Sequence, residues 1–227
     1  TIEEKTTEPS ETESEPEFTY RPGEKFITYV ETEGVGKIAV QVVLPKEARY
    51  EEGAPLIMQV QTFFTDPRGF DQELLPLTKE GYIHFGYLWP GKSMPEGEAS
   101  EGEFDYGGED SIRALKDVLA FMSGSAPNHE GFMLHQMIDI NPLYEQSGVY
   151  AFSHPGIAQV NTMALYADEL ANIGFLVARE NPTDDIFSSV ELGYWENGVR
   201  TENPVYDYER DYDPIQIEID YSSAKYD

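Results

Sequence analysis

The residues best suited to do chemistry lie around Ser153. Residues 148–152 have the apolar composition of a short strand, and the stretch after Pro155 has the composition of a helix. Ser153 therefore falls on the sharp turn between them. A turn of this kind, called a nucleophile elbow, lifts a serine hydroxyl out at the end of a sheet, where the hydroxyl can attack a carbonyl carbon.

A nucleophilic serine also needs a histidine to take its proton and an acid to orient that histidine. In proteins that use this elbow, both partners come later in the chain than the serine. After Ser153 the sequence contains one histidine, the adjacent His154, and we expect that it cannot easily fold back to serve its neighbour. The sequence therefore predicts a serine enzyme whose base lies outside this chain.

The composition indicates a folded, acidic protein. The chain has 227 residues, of which 40% are hydrophobic and 13% aromatic, enough for one domain with a sizeable core. Its formal net charge of -28 argues against nucleic acid and anionic membrane surfaces as partners, because both would repel it. No apolar run is long enough to span a bilayer, and no cysteine is present to form a disulfide.

The first 17 residues are almost all Thr, Glu, Ser and Pro, with Ile2 as the one large apolar residue. Such a segment buries too little surface to offset its ordering entropy, so we predict a disordered acidic tether over residues 1–17. A spacer of this type suits an extracellular or cell-envelope protein whose signal sequence has been removed. A plain acidic tail is the alternative.

From residue 18 onward, strand and helix patterns alternate. One helix, capped by Glu109, Asp110 and Ser111, is predicted to run to Met122, and a second follows Ser153. This order predicts an α/β fold in which a mostly parallel sheet, with an antiparallel edge pair, carries helices on both faces. The core is predicted over residues 18–185, and residues 186–227 are a polar, Tyr-rich excursion or the start of an insertion. The predicted strands cover residues 25–31, 36–44, 55–64, 82–88, 148–152 and 173–178.

With these elements the sequence resembles the α/β-hydrolase superfamily, in its esterase, dienelactone-hydrolase and acyl-peptidase region. The similarity covers residues 26–185, which correspond to the N-terminal portion of such a protein. It rests on the order of strands and helices, on the strand from Gly81-Tyr82 into Trp89-Pro90-Gly91-Lys92, on loop 106–110 that opens a helix, and on the serine elbow. The resemblance implies an α/β-hydrolase fold that lacks its last strands.

The resemblance also implies roles for particular residues. Ser153 is the nucleophile, and the backbone N–H of His154 is one oxyanion donor. The second donor comes from residues 62–65, and the acid is Asp184 or Asp185. Where the family has Gly-x-Ser-x-Gly, this chain has Ala151 and Pro155 in place of the two glycines. The family's histidine follows a strand that this chain does not contain.

Other candidate residues have simpler interpretations. His84 lies in an apolar strand and is predicted to be a hydrogen-bonded core residue, while His129 and His135 are predicted to be surface or loop residues.

Four carboxylates at alternate positions present oxygen ligands on one side of an extended segment, where Ca²⁺ could bind. A solvated acidic edge is the alternative that we favour for them, and we predict no organic cofactor. The four are Asp207, Glu209, Asp211 and Asp213.

Two functions of different classes follow. The first is a serine hydrolase-like protein that transfers ester or peptide acyl groups through Ser153, as the N-terminal part of a longer or cleaved enzyme. The second is a non-catalytic extracellular structural or binding protein on a hydrolase fold, such as a surface-layer or filament subunit. A calcium-dependent adhesion module is a weaker third. In each case we expect the C-terminal part of the same protein or a second copy to cover the open edge of the sheet.

Overall fold

The computed structural model describes residues 20–61, 70, 75–95 and 97–179, together with the backbone of two short strands at residues 193–196 and 199–202. The chain divides into two compact units, Thr1–Thr183 and Asp184–Asp227. The predicted tether over residues 1–17 lies outside the described residues.

The first unit contains a six-stranded sheet with the spatial order β1-β2-β4-β3-β5-β6. The antiparallel pairs are β1 with β2 and β2 with β4, whereas β4, β3, β5 and β6 run parallel to one another. The prediction of a mostly parallel α/β sheet with an antiparallel edge pair is confirmed. The strands are β1 (Lys25–Thr32), β2 (Gly36–Val43), β3 (Ala54–Gln59), β4 (Ile83–Tyr87), β5 (Pro142–Phe152) and β6 (Ile173–Arg179).

Burial along the strands follows their composition. All residues of β3 and β4 are buried, as expected for apolar strands covered on both faces. In β1 every second residue is buried, because one face of this edge strand contacts the core. In β6, Ile173 is buried and the following six residues are exposed. Both faces of β6 are therefore open within the described residues.

Helix α1 (Glu109–Met122) begins where the sequence predicts, but its cap is a different residue. The Asp105 carboxylate accepts hydrogen bonds from the backbone N–H groups of Asp110 at 2.8 Å and Ser111 at 3.3 Å. Satisfying such orphan N–H groups stabilises a helix by about 1 kcal/mol. The predicted capping by Glu109, Asp110 and Ser111 was wrong, because a carboxylate from the preceding loop reaches the same donors.

The two long helices, α1 and α3 (Pro155–Leu165), contact each other and therefore lie on the same face of the sheet. Phe121 of α1 packs edge-to-face on Phe85 of β4, with ring centroids 6.4 Å apart. The opposite face is covered, within the described residues, by the loop side chains Phe70 and Met94. Helix cover of that second face was also predicted, and it is not among the described residues.

Helix α3 buries small and polar side chains against the sheet. Ala158, Gln159 and Thr162 are buried, whereas Val160 is 46% exposed. The Gln159 side chain donates to the backbone carbonyl of Val149 in β5 at 3.4 Å. The polar face of α3 thus lies against β5, and part of its apolar stripe faces outward.

Two further elements were not predicted. A short helix, α2 (Leu134–Met137), lies between α1 and β5. In the second unit, β7 (Gly193–Glu196) pairs antiparallel with β8 (Val199–Glu202). The sequence places Asn197-Gly198 between these strands, and this dipeptide is a strong hairpin signal that the sequence interpretation overlooked.

Two buried tyrosines differ in hydrogen bonding. The Tyr150 hydroxyl donates to the Gln59 side chain at 2.6 Å, whereas the Tyr87 hydroxyl has no hydrogen-bond partner in the part of the chain that the structure describes. Complete burial raises the pKa of Tyr87 well above its ordinary value of 10.0. The stability that the neutral Tyr87 contributes is therefore fully present below about pH 10 and is lost as the pH rises further.

Replacing each of these tyrosines by phenylalanine gives a matched test. We expect Tyr87→Phe to leave the free energy of unfolding unchanged or to raise it by about 1 kcal/mol, because it removes an unsatisfied polar group. Tyr150→Phe should lower it by about 1–3 kcal/mol, because Gln59 and His84 lose a partner. Urea denaturation at neutral pH measures both values, and equal losses in the two variants would contradict this assignment.

Candidate functional site

The backbone reverses direction at Ser153, between the end of β5 and the start of α3. Ser153 has a φ of +65°, and Tyr106 is the other described non-glycine residue with a positive φ. This conformation costs a residue with a Cβ about 1–2 kcal/mol, and it exposes the side chain at a strand-to-helix turn. The Ser153 side chain is exposed. The sharp turn predicted from the sequence is therefore present.

Hydrogen bonds on both sides fix this turn. The backbone N–H of Ser153 donates to the carbonyl of Arg179 in β6 at 2.9 Å, and the N–H of Gly156 donates to the Ser153 carbonyl at 3.1 Å. Pro155 is buried at the first position of α3, where a missing N–H costs nothing and a fixed φ suits the helix. Proline in place of the expected glycine is thus compatible with the start of the helix.

The side chain of His154 lies beside that of Ser153. Its Nδ1 is 3.1 Å from Ser153 Oγ, a hydrogen-bonding distance. His154 was expected not to fold back easily to serve Ser153, yet its ring nitrogen lies within hydrogen-bonding distance of the hydroxyl. Successive side chains point to opposite sides of an extended strand, but here the positive φ of Ser153 and the helical conformation of His154 end the strand. The two side chains therefore do not have to point to opposite sides of the sheet.

The other two parts of the predicted site, Asp184 and the loop at residues 62–65, lie outside the described residues. His154 itself is the N-cap of α3, a helix of 11 residues. The N-terminus of a helix carries partial positive charge and favours negative charge nearby. A hydroxyl, an imidazole and a helix N-terminus therefore meet within two consecutive residues.

A buried network of hydrogen-bonded side chains, made of Tyr150, Gln59 and His84, lies in the strands next to the turn. The Tyr150 hydroxyl in β5 donates to Gln59 Oε1 in β3, and His84 Nε2 in β4 is 3.2 Å from the same hydroxyl. When the tyrosine proton goes to the amide oxygen, the matching His84 tautomer is the one that carries a proton on Nε2 and donates it to the tyrosine oxygen. The prediction that His84 is a hydrogen-bonded core residue is confirmed. The sequence signal for Gln59, a polar residue within an apolar strand, was overlooked.

The remaining histidines are partnered elsewhere on the surface. His129 Nδ1 is 2.9 Å from a carboxylate oxygen of Glu31, and His135 Nδ1 is 3.3 Å from the Tyr144 hydroxyl. Both side chains are exposed. The prediction that these two are surface or loop residues is confirmed.

The described residues contain neither a metal-binding cluster nor a membrane-spanning helix. Within the described residues, no group of three or more His, Cys, Asp or Glu side chains is arranged to hold a metal ion. The acidic strip from Asp207 to Asp213 lies outside those residues, so its calcium binding stays a prediction. None of the described helices has both the length and the apolar character needed to cross a bilayer.

Comparison of the sequence with known protein families and with curated proteins gives no match. Solved structures do match. A hypothetical protein from Pseudomonas aeruginosa is 11% identical with a TM-score of 0.51, over 80% of this chain and 49% of that one. An esterase from the fungus Rhizomucor miehei is 14% identical with a TM-score of 0.48, over 73% of this chain and 46% of that one. An epoxide hydrolase from Vigna radiata is 14% identical with a TM-score of 0.43, over 68% and 38%.

The chain has an α/β-hydrolase fold. It spans less than half the length of each of these three structures. The described sheet runs from the antiparallel edge pair to β6, the strand that follows the serine turn. At these levels of identity the likeness shows the fold and not a reaction.

The strain at Ser153 can be measured with two substitutions. We expect Ser153→Gly to unfold with a free energy about 1 kcal/mol higher than Ser153→Ala, because glycine adopts a positive φ without the Cβ penalty. Ser123 has an ordinary φ of -81°, so there the alanine variant should be the more stable of the pair. Chemical denaturation of the four variants checks this, and a Ser153→Ala variant as stable as Ser153→Gly would mean that the turn is unstrained.

Proposed function

We propose that this protein is serine hydrolase-like and transfers acyl groups from esters or amides through Ser153. The observation that best supports this is the exposed Ser153 hydroxyl at a positive-φ turn, with Oγ 3.1 Å from a ring nitrogen of His154. Strained backbone at an exposed polar residue is a feature of functional sites, where it is maintained by the surrounding structure. The α/β-hydrolase fold is compatible with this chemistry but does not by itself imply it.

The proposed reaction begins with attack of Ser153 Oγ on the carbonyl carbon of the substrate. The carbonyl oxygen then takes up negative charge, which the backbone N–H of His154 and the N-terminus of α3 would stabilise. Collapse of this intermediate expels the alcohol or amine and leaves an acyl group on Ser153. Water then attacks the acyl-enzyme and releases the acid. These steps require no metal or organic cofactor.

Efficient catalysis also needs an acid and a second oxyanion donor. We assign these roles to Asp184 and to a backbone N–H within residues 62–65. The indole N–H of Trp89 donates to the carbonyl of Gln61, the described residue directly before this segment, at 2.9 Å.

Reaction with a fluorophosphonate tests the proposed nucleophile. We expect native protein to gain one phosphonyl adduct, found by mass spectrometry on the peptide that contains Ser153, because the reagent reports an activated serine. Ser153→Ala and urea-denatured protein should gain none. Folded protein that stays unlabelled, while a control hydrolase in the same tube is labelled, would refute serine chemistry at this site.

A second candidate function rests on strand β6. Its apolar side chains Phe175, Leu176 and Val177 are 43%, 37% and 49% exposed. An open, apolar edge strand promotes association with another strand. Should labelling fail, we propose a non-catalytic extracellular structural or binding protein that assembles through this edge. In both functions we propose that the C-terminal part of the same protein or a second copy covers β6.

A charge introduced on β6 distinguishes a covered edge from an open one. If β6 is covered in solution, Val177→Asp should lower the free energy of unfolding by about 2 kcal/mol or more, because a carboxylate is buried without a partner. Phe132→Asp is the control, since Phe132 is 50% exposed in a loop, and it should change the value by about 0.5 kcal/mol or less. Equal, small effects would argue against a covering partner, and light scattering would show whether any cover is a second copy.

A further inference from the structure

We propose that the imidazole of His154 is the general base of Ser153, so that two consecutive residues form the catalytic dyad. This inference rests on the proposed function, acyl transfer through Ser153. The resemblance to α/β-hydrolases assigns His154 a backbone role and places the base much later in the chain. The structure instead offers a base inside the turn that carries the nucleophile.

The distance between the two side chains suits proton transfer. His154 Nδ1 lies 3.1 Å from Ser153 Oγ, within the range over which a base can take a proton directly. To accept that proton, Nδ1 must be the unprotonated nitrogen, and the neutral ring then carries its proton on Nε2. Ser153 is exposed and His154 is half-buried, so the pair is accessible to a substrate.

The other histidines are poorly placed to serve as the base. The chain has four histidines in all. His84 is buried and uses Nε2 for the Tyr150 hydroxyl, while His129 and His135 direct Nδ1 to Glu31 and Tyr144. Within this chain, His154 is thus the imidazole that has a ring nitrogen at the serine hydroxyl.

The proton transfers of the proposed dyad balance, and they need no reactant other than the substrate and water. As Ser153 Oγ bonds to the carbonyl carbon, its proton moves to His154 Nδ1. The imidazolium then protonates the departing alcohol or amine as the carbon–oxygen or carbon–nitrogen bond breaks. In the second half, water gives a proton to Nδ1 while its oxygen attacks the acyl carbon, and Ser153 Oγ recovers that proton on release.

Substitution at position 154 separates the side chain from the backbone. His154→Ala and His154→Gln keep the backbone N–H, so any oxyanion donor at this position is preserved. We expect both variants to react with a fluorophosphonate, and to hydrolyse p-nitrophenyl acetate, about 100-fold more slowly, within the usual effect of a general base. Added imidazole should restore part of the rate of His154→Ala, where it can enter the vacated space, and little of the rate of His154→Gln.

Controls make the outcome decisive. His135→Gln removes an exposed histidine outside the proposed site and should react like the wild type, and thermal melts should show that all variants remain folded. If wild type is labelled on Ser153 and both His154 variants are labelled at the same rate, His154 is not the base, although the proposed function stands. If the wild type itself is not labelled, the proposed function fails and the dyad fails with it.

Discussion

The polypeptide must pass from an extended strand to a helix within a single residue at Ser153, and much of the described structure is arranged around that constraint. A positive φ at a residue with a Cβ is unfavourable, so neighbouring contacts must hold it. The Arg179 carbonyl of β6 binds the Ser153 N–H, and Gln159 ties α3 to the Val149 carbonyl of β5. Strand, turn and helix are therefore held by these two hydrogen bonds. The exposed hydroxyl is a geometric consequence of this anchoring.

The buried network of Tyr150, Gln59 and His84 constrains how the central strands pair. Tyr150, Gln59 and His84 connect the side chains of β5, β3 and β4, which are neighbours in the sheet. Buried polar groups are costly unless paired, so shifting one strand along another would leave these groups without their partners. The network thus favours one register of the central strands. Because Tyr150 precedes Ser153 by three residues, that register also sets the position of the serine turn relative to the ends of the neighbouring strands.

The parts of this structure that the sequence predicts are those governed by local chemistry. The apolar β3 and the β-branched residues of β2 form strands because their side chains fit a buried pleated surface. Ser153 falls on a turn because strand and helix patterns meet there. Other features depend on approach in three dimensions. Asp105 caps α1 from outside the helix, and the Gln159 side of α3 faces the sheet although an apolar stripe lies elsewhere on the helix. The contact between His154 and Ser153 depends on the backbone conformations of these two residues, which no periodicity encodes.

A base within the turn changes what the rest of the protein has to supply. In a serine enzyme whose histidine comes from a distant strand, nucleophile and base come together only when the whole sheet is assembled. Here the two groups are adjacent, so their approach depends on β5, α3 and the hydrogen bond to β6. Within the described residues, the side chains of β6 are largely exposed. Burial of its apolar side chains favours a covering strand, while a net charge of -28 opposes a second copy of the same chain. Since salt screens that repulsion and leaves apolar burial largely intact, assembly through β6 and chemistry at Ser153 should respond differently to ionic strength.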